Sequence, residues 1–330
     1  MRPSFHKTET LPLFRHSRHR DCVQSRLANF HHHIPVQPWS PDSLRTTPSL
    51  FVTYSSLSAA QELATATEQI AKYGILFITG VPNAKTSHED CELRILAEKF
   101  AQIRSTFYGT VWDVINVRDS KNIAYTNLPL DLHMDLLYFH HPPRYQVLHC
   151  LRNKVSGGTS AFVDGFHISD ILRKQSPSSF GALATIPVPF QYINDGHHLY
   201  HTHPTIELES LQEDSIPLLE RTIKHVNYSP PFQAPFSMSD KLDHLYTSLR
   251  KFADLLDAKE NRYEYTLREG DAVLFDNRRV LHARTAFKEK PGLRTSEGDV
   301  SRWLKGCYLD DDAMLDRYRV IMTKLDNGGT

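Results

Sequence analysis

The 330-residue chain has few cysteines, few glycines and no surplus of charge of either sign. Its four cysteines lie far apart and form no Cys-x-x-Cys pair, which argues against a disulfide-dense secreted scaffold and favours a reducing compartment. The 14 glycines and 19 prolines are too few for a collagen-like or low-complexity chain. Because 38 basic residues balance 38 acidic ones, we expect no nucleic-acid partner.

Long apolar runs are also missing. None reaches the roughly 20 residues that are needed to cross a bilayer, so we expect no membrane span. The N-terminus lacks the apolar core of a secretory signal peptide. We therefore expect a cytoplasmic protein, with a mitochondrial location as the alternative because residues 1–20 are rich in arginine and histidine.

Two regions differ in composition. Residues 1–50 are basic and rich in proline, and are predicted to be an irregular leader, whereas residues 51–330 are predicted to form one α+β catalytic domain. Apolar residues at helical spacing predict helices at 59–72, 93–100 and 237–256. Short β-branched and aromatic runs predict strands at 74–81, 146–151, 159–163 and 271–275.

Histidine is abundant, with 19 copies, and this directs attention to metal and proton chemistry. In a strand, residues i and i+2 point to the same face, so His133 and Asp135 are predicted to present an imidazole and a carboxylate to one metal ion. The triplet alone is a weak signal, since the chain contains two further His-x-Asp triplets. A surface ion pair is the commoner explanation of any one of them.

His282 and Arg302 strengthen the metal hypothesis. His282 follows a predicted strand, where it is placed to supply a third ligand. Two histidines and one carboxylate leave open positions on a metal, which is the facial triad of non-haem Fe(II) oxygenases. Arg302 lies in an alternating strand, where its buried guanidinium requires an anion such as the carboxylate of a keto acid. A zinc hydrolase is the alternative for the same three ligands, but it gives Arg302 no role.

The chain resembles the TauD/TfdA-type Fe(II)/2-oxoglutarate-dependent dioxygenases, and in particular the γ-butyrobetaine and trimethyllysine hydroxylases. The resemblance covers about residues 55–325 and implies a double-stranded β-helix, or jelly-roll, core. It rests on these three ligands and Arg302, together with stretches at 106–112, 124–126, 140–143, 146–151, 156–160, 163–166 and 275–277.

The resemblance implies a role for each candidate residue. His133, Asp135 and His282 match the iron ligands, while Arg302 and Ser160 match the residues that hold the distal carboxylate of 2-oxoglutarate. The implied cofactors are Fe(II) and the co-substrate 2-oxoglutarate, with ascorbate as a candidate reductant, and the implied partners are O₂ and a small-molecule substrate.

Aromatic residues match a cage around a trimethylammonium group, which ring faces hold by cation–π attraction. The matching cage residues are Tyr108, Trp112, Tyr125 and Tyr308, and Asn122 matches a polar position near the other end of the substrate. This implies hydroxylation of an unactivated C–H bond in a γ-butyrobetaine-like acid, as in carnitine biosynthesis. The alternative substrates are trimethyllysine and a secondary-metabolite intermediate. A jelly-roll binding protein without turnover is the alternative to an enzyme. The four aromatic residues could also be ordinary core residues.

The chain departs from the family pattern in three places. The segment Val226–Pro231, which matches a region near the carboxylate end of the family substrate, is altered, and Arg278 replaces the usual tryptophan. In the leader, only Ser17, His19 and Cys22 match an N-terminal zinc module, so we expect a reduced remnant without structural zinc. The resemblance leaves a homodimer open.

Overall fold

The computed structural model describes residues 34–115, 126–209, 216–236, 242–290 and 300–327. The chain divides into residues 1–34 and a second compact unit, Pro35–Thr330. Only the second unit is described below. The leader residues Ser17, His19 and Cys22 lie outside the described residues.

The segment 35–50 is packed into the second unit. Trp39 is 1% exposed, its indole N–H donates to the Tyr73 carbonyl at 2.6 Å, and its backbone N–H donates to Asp164 Oδ2 at 2.8 Å. Leu44 and Leu50 are buried in the same apolar cluster. The boundary that the sequence predicts after residue 50 therefore lies inside the compact unit, because aromatic and aliphatic side chains on its N-terminal side are core residues.

Seven helices and 17 strands are present in the described residues. The helices are α1 (Pro41–Arg45), α2 (Ala60–Tyr73), α3 (Glu92–Phe100), α4 (Gly165–Gln175), α5 (Pro177–Thr185), α6 (Leu242–Asp257) and α7 (Asp311–Asp326). The strands are β1 (Phe51–Thr53), β2 (Ile75–Thr79), β3 (Ile103–Arg104), β4 (Trp112–Ile115), β5 (Leu130–His133), β6 (Tyr145–Asn153), β7 (Val155–Gly157), β8 (Ser160–Asp164), β9 (Pro187–Asn194), β10 (His197–Pro204), β11 (Ile206–Leu208), β12 (Ile223–Val226), β13 (Tyr263–Tyr265), β14 (Ala272–Asp276), β15 (Val280–Arg284), β16 (Phe287–Glu289) and β17 (Arg302–Leu309).

The largest sheet has seven strands in the order β1-β2-β14-β6-β17-β3, and β4 also pairs with β17. Its central strands are apolar on both faces because each face is covered. Leu76 and Ile78 of β2 pack into one apolar cluster, and Ile75 and Phe77 pack into another. The strand period of two thus divides one apolar run between two cores.

A four-stranded sheet in the order β13-β8-β15-β5 faces the large one. Side chains from both sheets line one cavity: Trp112, Gln146 and Arg302 come from the large sheet, and His133 and His282 come from the small one. The candidate site therefore lies between the two sheets.

The predicted α+β class is confirmed, and the predicted elements recur with shifts of a few residues at their ends. Helix α2 stops at Gly74, whose φ of 74° is the left-handed conformation that glycine adopts most easily. Residues 237–241 of the third predicted helix lie outside the described residues. In the described part of the chain, no helix is long and apolar enough to span a membrane.

One local prediction was wrong, and another was incomplete. Asp135 does not lie in a strand with His133, because β5 ends at His133 and Leu136 turns the chain with a φ of 62°. His282 follows the predicted strand β14, as expected, but it also lies within a strand of its own, β15, where it pairs directly with His133 across the sheet.

Candidate metal centre

His133, Asp135 and His282 form the one group of potential metal ligands found among the described residues. One ligand atom from each lies within 4.8 Å of the other two. His133 Nε2 is 3.3 Å from Asp135 Oδ1, and the two imidazole rings have centroids 4.2 Å apart. Three donors on one side of a common point are the arrangement that a facial triad requires.

The tautomer of His133 is set by a backbone carbonyl. His133 Nδ1 lies 2.8 Å from the Asp131 carbonyl oxygen, which accepts a hydrogen bond from Nδ1–H. The proton on Nδ1 leaves the lone pair of Nε2 facing Asp135 and His282. Such a hydrogen bond to the second ring nitrogen is the usual way in which a protein orients a metal-binding histidine.

Asp135 is held through its backbone by Asn277, which lies in the turn between β14 and β15. The backbone N–H of Asp135 donates to Asn277 Oδ1 at 2.8 Å, and the backbone carbonyl of Asp135 accepts from Asn277 Nδ2 at 3.0 Å. The neighbouring Met134 N–H donates to the Tyr228 carbonyl at 2.9 Å. The turn after β5 is therefore fixed on two sides, which explains how a residue beyond the strand still faces His133.

The electrostatics suit a metal ion. Burial acts to raise the pKa of Asp135, but the contacts of its carboxyl group with His133, His282 and Tyr308 hold that pKa well below the usual value. Burial, followed by the neighbouring His133, lowers the pKa of His282 to about 3. At neutral pH the centre thus has one carboxylate and an imidazole that retains its lone pair.

Arg302 lies at another part of the cavity wall. It is 5% exposed, and its buried Nε has no hydrogen-bond partner within the described residues. Burial, then repulsion from Arg284, lowers its pKa to about 10, so the guanidinium stays charged at neutral pH. Ser160 lines the same cavity. A buried cation with an unpaired N–H and a hydroxyl on one wall is suited to an anionic group.

The predicted cage residues occupy different positions. Trp112 and Tyr308 lie together, with ring centroids 5.3 Å apart, and the Tyr308 hydroxyl donates to Asp135 Oδ2 at 3.0 Å. Tyr108 packs against Phe107 and Tyr192, with centroids 4.1 and 6.4 Å away. Burial and the hydroxyls of its tyrosine neighbours raise the pKa of Tyr108. Asn122 and Tyr125 lie outside the described residues.

Sequence reasoning missed Arg284 and Asn277. Arg284 lines the cavity, and its guanidinium carbon and that of Arg302 lie 5.1 and 5.2 Å from the centroid of the Phe287 ring. The signal for Arg284 was available, because residues 282 and 284 of one strand share a face. No local pattern predicts the role of Asn277, since its partners are 134 to 142 residues away in the chain.

The two altered positions of the family pattern contact each other. Arg278 donates to Asn227 Oδ1 at 2.8 Å and to Glu207 Oε2 at 3.1 Å. Asn227 Nδ2 donates to the Pro204 carbonyl at 2.8 Å, and the residue is 1% exposed. Both polar groups of the Asn227 side chain are therefore engaged within the protein.

Comparison with known proteins gives a family match over residues 37–308, to the model described as Taurine catabolism dioxygenase TauD, TfdA family. The chain is 51% identical over 288 residues to dioxygenase str8 of Strobilurus tenacellus, covering 87% of this chain and 66% of that protein. It is 36% identical over 252 residues to γ-butyrobetaine dioxygenase of Pseudomonas sp. strain AK-1, covering 75% and 59%. The chain thus spans less than two thirds of the length of these relatives.

A similar fold occurs in a solved structure of asparagine oxygenase in complex with Fe(II), 2S,3S-3-hydroxyasparagine and succinate. The TM-score is 0.56 at 15% sequence identity, and the match covers 89% of this chain and 92% of that one. The family resemblance predicted from the sequence is confirmed by these comparisons.

Proposed function

Since this chain belongs to the taurine catabolism dioxygenase TauD, TfdA family, we propose that it is an Fe(II)- and 2-oxoglutarate-dependent dioxygenase. The reaction is hydroxylation of an unactivated C–H bond in a small organic substrate. The observation that carries the proposal is the convergence of His133, Asp135 and His282 within 4.8 Å in a cavity that also contains buried Arg302. The two facing sheets support a jelly-roll as the underlying architecture.

The residues fit both groups. His133, Asp135 and His282 would hold Fe(II), and Arg302 with Ser160 would hold the distal carboxylate of 2-oxoglutarate. When bound, Fe(II) with 2-oxoglutarate and O₂ supplies the oxidising chemistry, in which the keto acid becomes succinate and CO₂ and one oxygen atom reaches the substrate C–H bond.

The protein positions these groups and excludes water. The Tyr308 hydroxyl donates to Asp135 Oδ2, which leaves Oδ1, the oxygen nearer to His133, for the metal. Apolar side chains cover much of the remaining wall, and they limit the access of water to the reacting centre. They are Val114, Leu130, Leu148, Ala283 and Leu304.

The sequence leaves two substrate classes open. The pairing of Trp112 with Tyr308 supports a trimethylammonium acid such as γ-butyrobetaine or trimethyllysine. The engagement of Asn227 by Arg278 and Pro204 removes a polar group from the segment expected near the substrate carboxylate. We therefore propose an intermediate of secondary metabolism as the substrate, since the identity to γ-butyrobetaine dioxygenase of Pseudomonas sp. strain AK-1 is only 36%.

A turnover assay tests both the proposed reaction and the proposed substrate. Succinate release that requires Fe(II), O₂ and 2-oxoglutarate is expected, and Arg302→Ala is expected to raise the KM for 2-oxoglutarate. Neither γ-butyrobetaine nor trimethyllysine is expected to stimulate release. Stimulation by either would restore the carnitine-type substrate, while the absence of any iron-dependent release would refute the oxygenase itself.

A further inference from the structure

Two buried polar atoms on the cavity wall are not used by the metal or keto-acid sites. Gln146 is 1% exposed and Trp112 is 8% exposed, and both line the cavity. Within the described residues, neither Gln146 Oε1 nor Trp112 Nε1 has a hydrogen-bond partner. Buried polar groups in native proteins are nearly always paired, so an unpaired acceptor and an unpaired donor in one cavity indicate a ligand.

Strand register places Gln146 at the metal end of the cavity. Gln146 pairs with Tyr308 across β6 and β17, and the Tyr308 hydroxyl contacts Asp135. Arg302 pairs with Asn153, seven residues further along β6. At about 3.3 Å per residue, the two backbone positions are about 23 Å apart along the strand. Gln146 is therefore remote from the predicted site of the distal keto-acid carboxylate and lies at the metal end of the cavity.

The backbone holds the indole of Trp112 in place. Trp112 pairs with Gly306 of β17, and its six-membered ring lies so close to that glycine that a Cβ there would overlap it. The ring of Tyr308 lies on another side, with an interplanar angle of 37°. The orientation of the Nε1–H donor is therefore set by the fold and does not depend on ligand binding.

We propose that Trp112 Nε1–H and the Gln146 side-chain amide recognise an uncharged group of the substrate that both donates and accepts hydrogen bonds, namely a hydroxyl or an amide. This rests on the proposed function. A trimethylammonium group neither donates nor accepts a hydrogen bond, so it would leave both atoms unpaired. A carboxylate accepts from Trp112 but has no proton for Gln146 Oε1. The apolar wall residues Leu148 and Val114 suit an apolar substrate body next to the polar group.

A series of probes with one hexyl body isolates the head group: hexan-1-ol, hexanamide, 1-methoxyhexane, hexanoate and hexyltrimethylammonium. Binding is measured without oxygen, from the change that each probe causes in the visible absorption of the Fe(II)–2-oxoglutarate protein. We expect the alcohol and the amide to change this absorption at concentrations at least tenfold lower than those required of the ether and the ammonium ion. Equal action of all head groups, or preference for the ammonium ion or for hexanoate, overturns the inference.

Substitutions of Gln146 test its part directly. Gln146→Leu is expected to reduce the preference for hexan-1-ol over 1-methoxyhexane at least tenfold. Gln146→Glu is expected to keep it, because a carboxylate still accepts from the hydroxyl. Val147→Ala is the control in the same strand, because Val147 packs into the apolar cluster on the opposite face, and it is expected to leave the preference unchanged. An undiminished preference in Gln146→Leu, or a raised requirement for 2-oxoglutarate there, contradicts the assignment.

A second readout separates this inference from the proposed function. Thermal stabilisation of the protein by the same five probes needs no keto acid. If the Fe(II)–2-oxoglutarate absorption is missing, the proposed function fails, but the ranking of head groups by thermal stabilisation still decides the role of Gln146 and Trp112.

Discussion

Single buried side chains hold the proposed iron ligands, and Asn277 contacts both backbone groups of one ligand. It is 0% exposed, and its amide both donates to and accepts from the backbone of Asp135. An aspartate at this position keeps the shape but replaces the N–H donor with an acceptor that faces the Asp135 and Pro143 carbonyls.

Asn277→Asp is therefore expected to weaken Fe(II) binding by about 10–100-fold, the range typical for residues that orient metal ligands. The measurement is equilibrium binding of Fe(II) without oxygen. Asn261→Asp is the control, since Asn261 is also buried but binds the Leu255 carbonyl outside the cavity. Unchanged iron affinity in Asn277→Asp would show that the turn after β5 needs no such support.

Position 306 has room only for glycine, because the indole of Trp112 lies directly against it. A methyl group at Gly306 would overlap the indole of Trp112. Gly306→Ala is expected to destabilise the protein by about 1–3 kcal/mol, as overpacking commonly does, and to change the fluorescence of tryptophan. Urea unfolding measures the first effect.

The control substitution for Gly306→Ala is Gly181→Ala in α5. A Cβ at Gly181 has no neighbour within 4 Å, so this variant is expected to be about 0.5–1 kcal/mol more stable through helix propensity. Equal stability of the two variants would mean that Trp112 does not rest on Gly306.

For single residues, the sequence predicted which side chains form the candidate site better than it predicted where they lie in the fold. The residue types of the triad and the charge of Arg302 were sufficient to bring His133, Asp135, His282 and Arg302 forward as a set. The strand-face argument for His133 and Asp135 was wrong, because the left-handed backbone at Leu136 cannot be read from a leucine. The burial of Gln146 was equally invisible, since it depends on which strands flank it.

The segment 35–50 shows what an element contributes beyond its own length. Its α1 helix has only five residues, yet the segment brings Trp39 into contact with Tyr73 of α2 and with Asp164 at the N-terminus of α4. Arg279 joins the same Asp164 through two hydrogen bonds of 3.0 and 2.7 Å and donates to the Gln37 carbonyl.

Trp39→Ala is expected to lower the free energy of unfolding by about 3–5 kcal/mol, because a large buried ring is lost together with its hydrogen bond. Val36→Ala serves as the control, since Val36 is 46% exposed and a change of less than about 0.5 kcal/mol is expected. A small effect of Trp39→Ala would mean that residues 35–50 are dispensable for the fold.

Elements were predicted well where local periodicity is strong, as in α2 and in the buried strand β2. Their pairing was not, because the ladders join distant parts of the chain. Strand β17 pairs with β6 about 150 residues earlier, and β15 pairs with both β8 and β5. Only the family resemblance implied that two sheets would enclose a site.

For the whole molecule, buried histidines predict a pH dependence of stability. Burial lowers the pKa of His149 to about 4 and that of His203 to about 4, from 6.5. Between these values the unfolded chain takes up protons that the folded protein does not bind, so the free energy of unfolding falls as the pH is lowered from 6.5 towards 4. Burial acts to raise the pKa of Glu207, but His225 and Arg278 outweigh it and lower this pKa from 4.5 to about 2. Glu207 therefore reduces the free energy of unfolding only when the pH falls below about 4.5.

Urea unfolding at pH 7 and pH 5 is expected to show a loss of about 3–4 kcal/mol at the lower pH from these two histidines. His203→Gln is expected to reduce this loss, because glutamine keeps an N–H donor for the Phe139 carbonyl but does not titrate. Equal stability at the two pH values would contradict the assignment of neutral buried histidines.

The central claim is that one Fe(II) binds between the two sheets and that 2-oxoglutarate binds beside it. The most direct measurement is an anaerobic titration of Fe(II) and 2-oxoglutarate, followed by bound iron and by the visible absorption of the complex. We predict one iron per chain with an absorption that requires the keto acid, loss of iron binding in His282→Ala, and retained iron but at least tenfold weaker 2-oxoglutarate binding in Arg302→Ala. Iron binding that survives in His282→Ala, or keto-acid affinity that is unchanged in Arg302→Ala, would contradict the account.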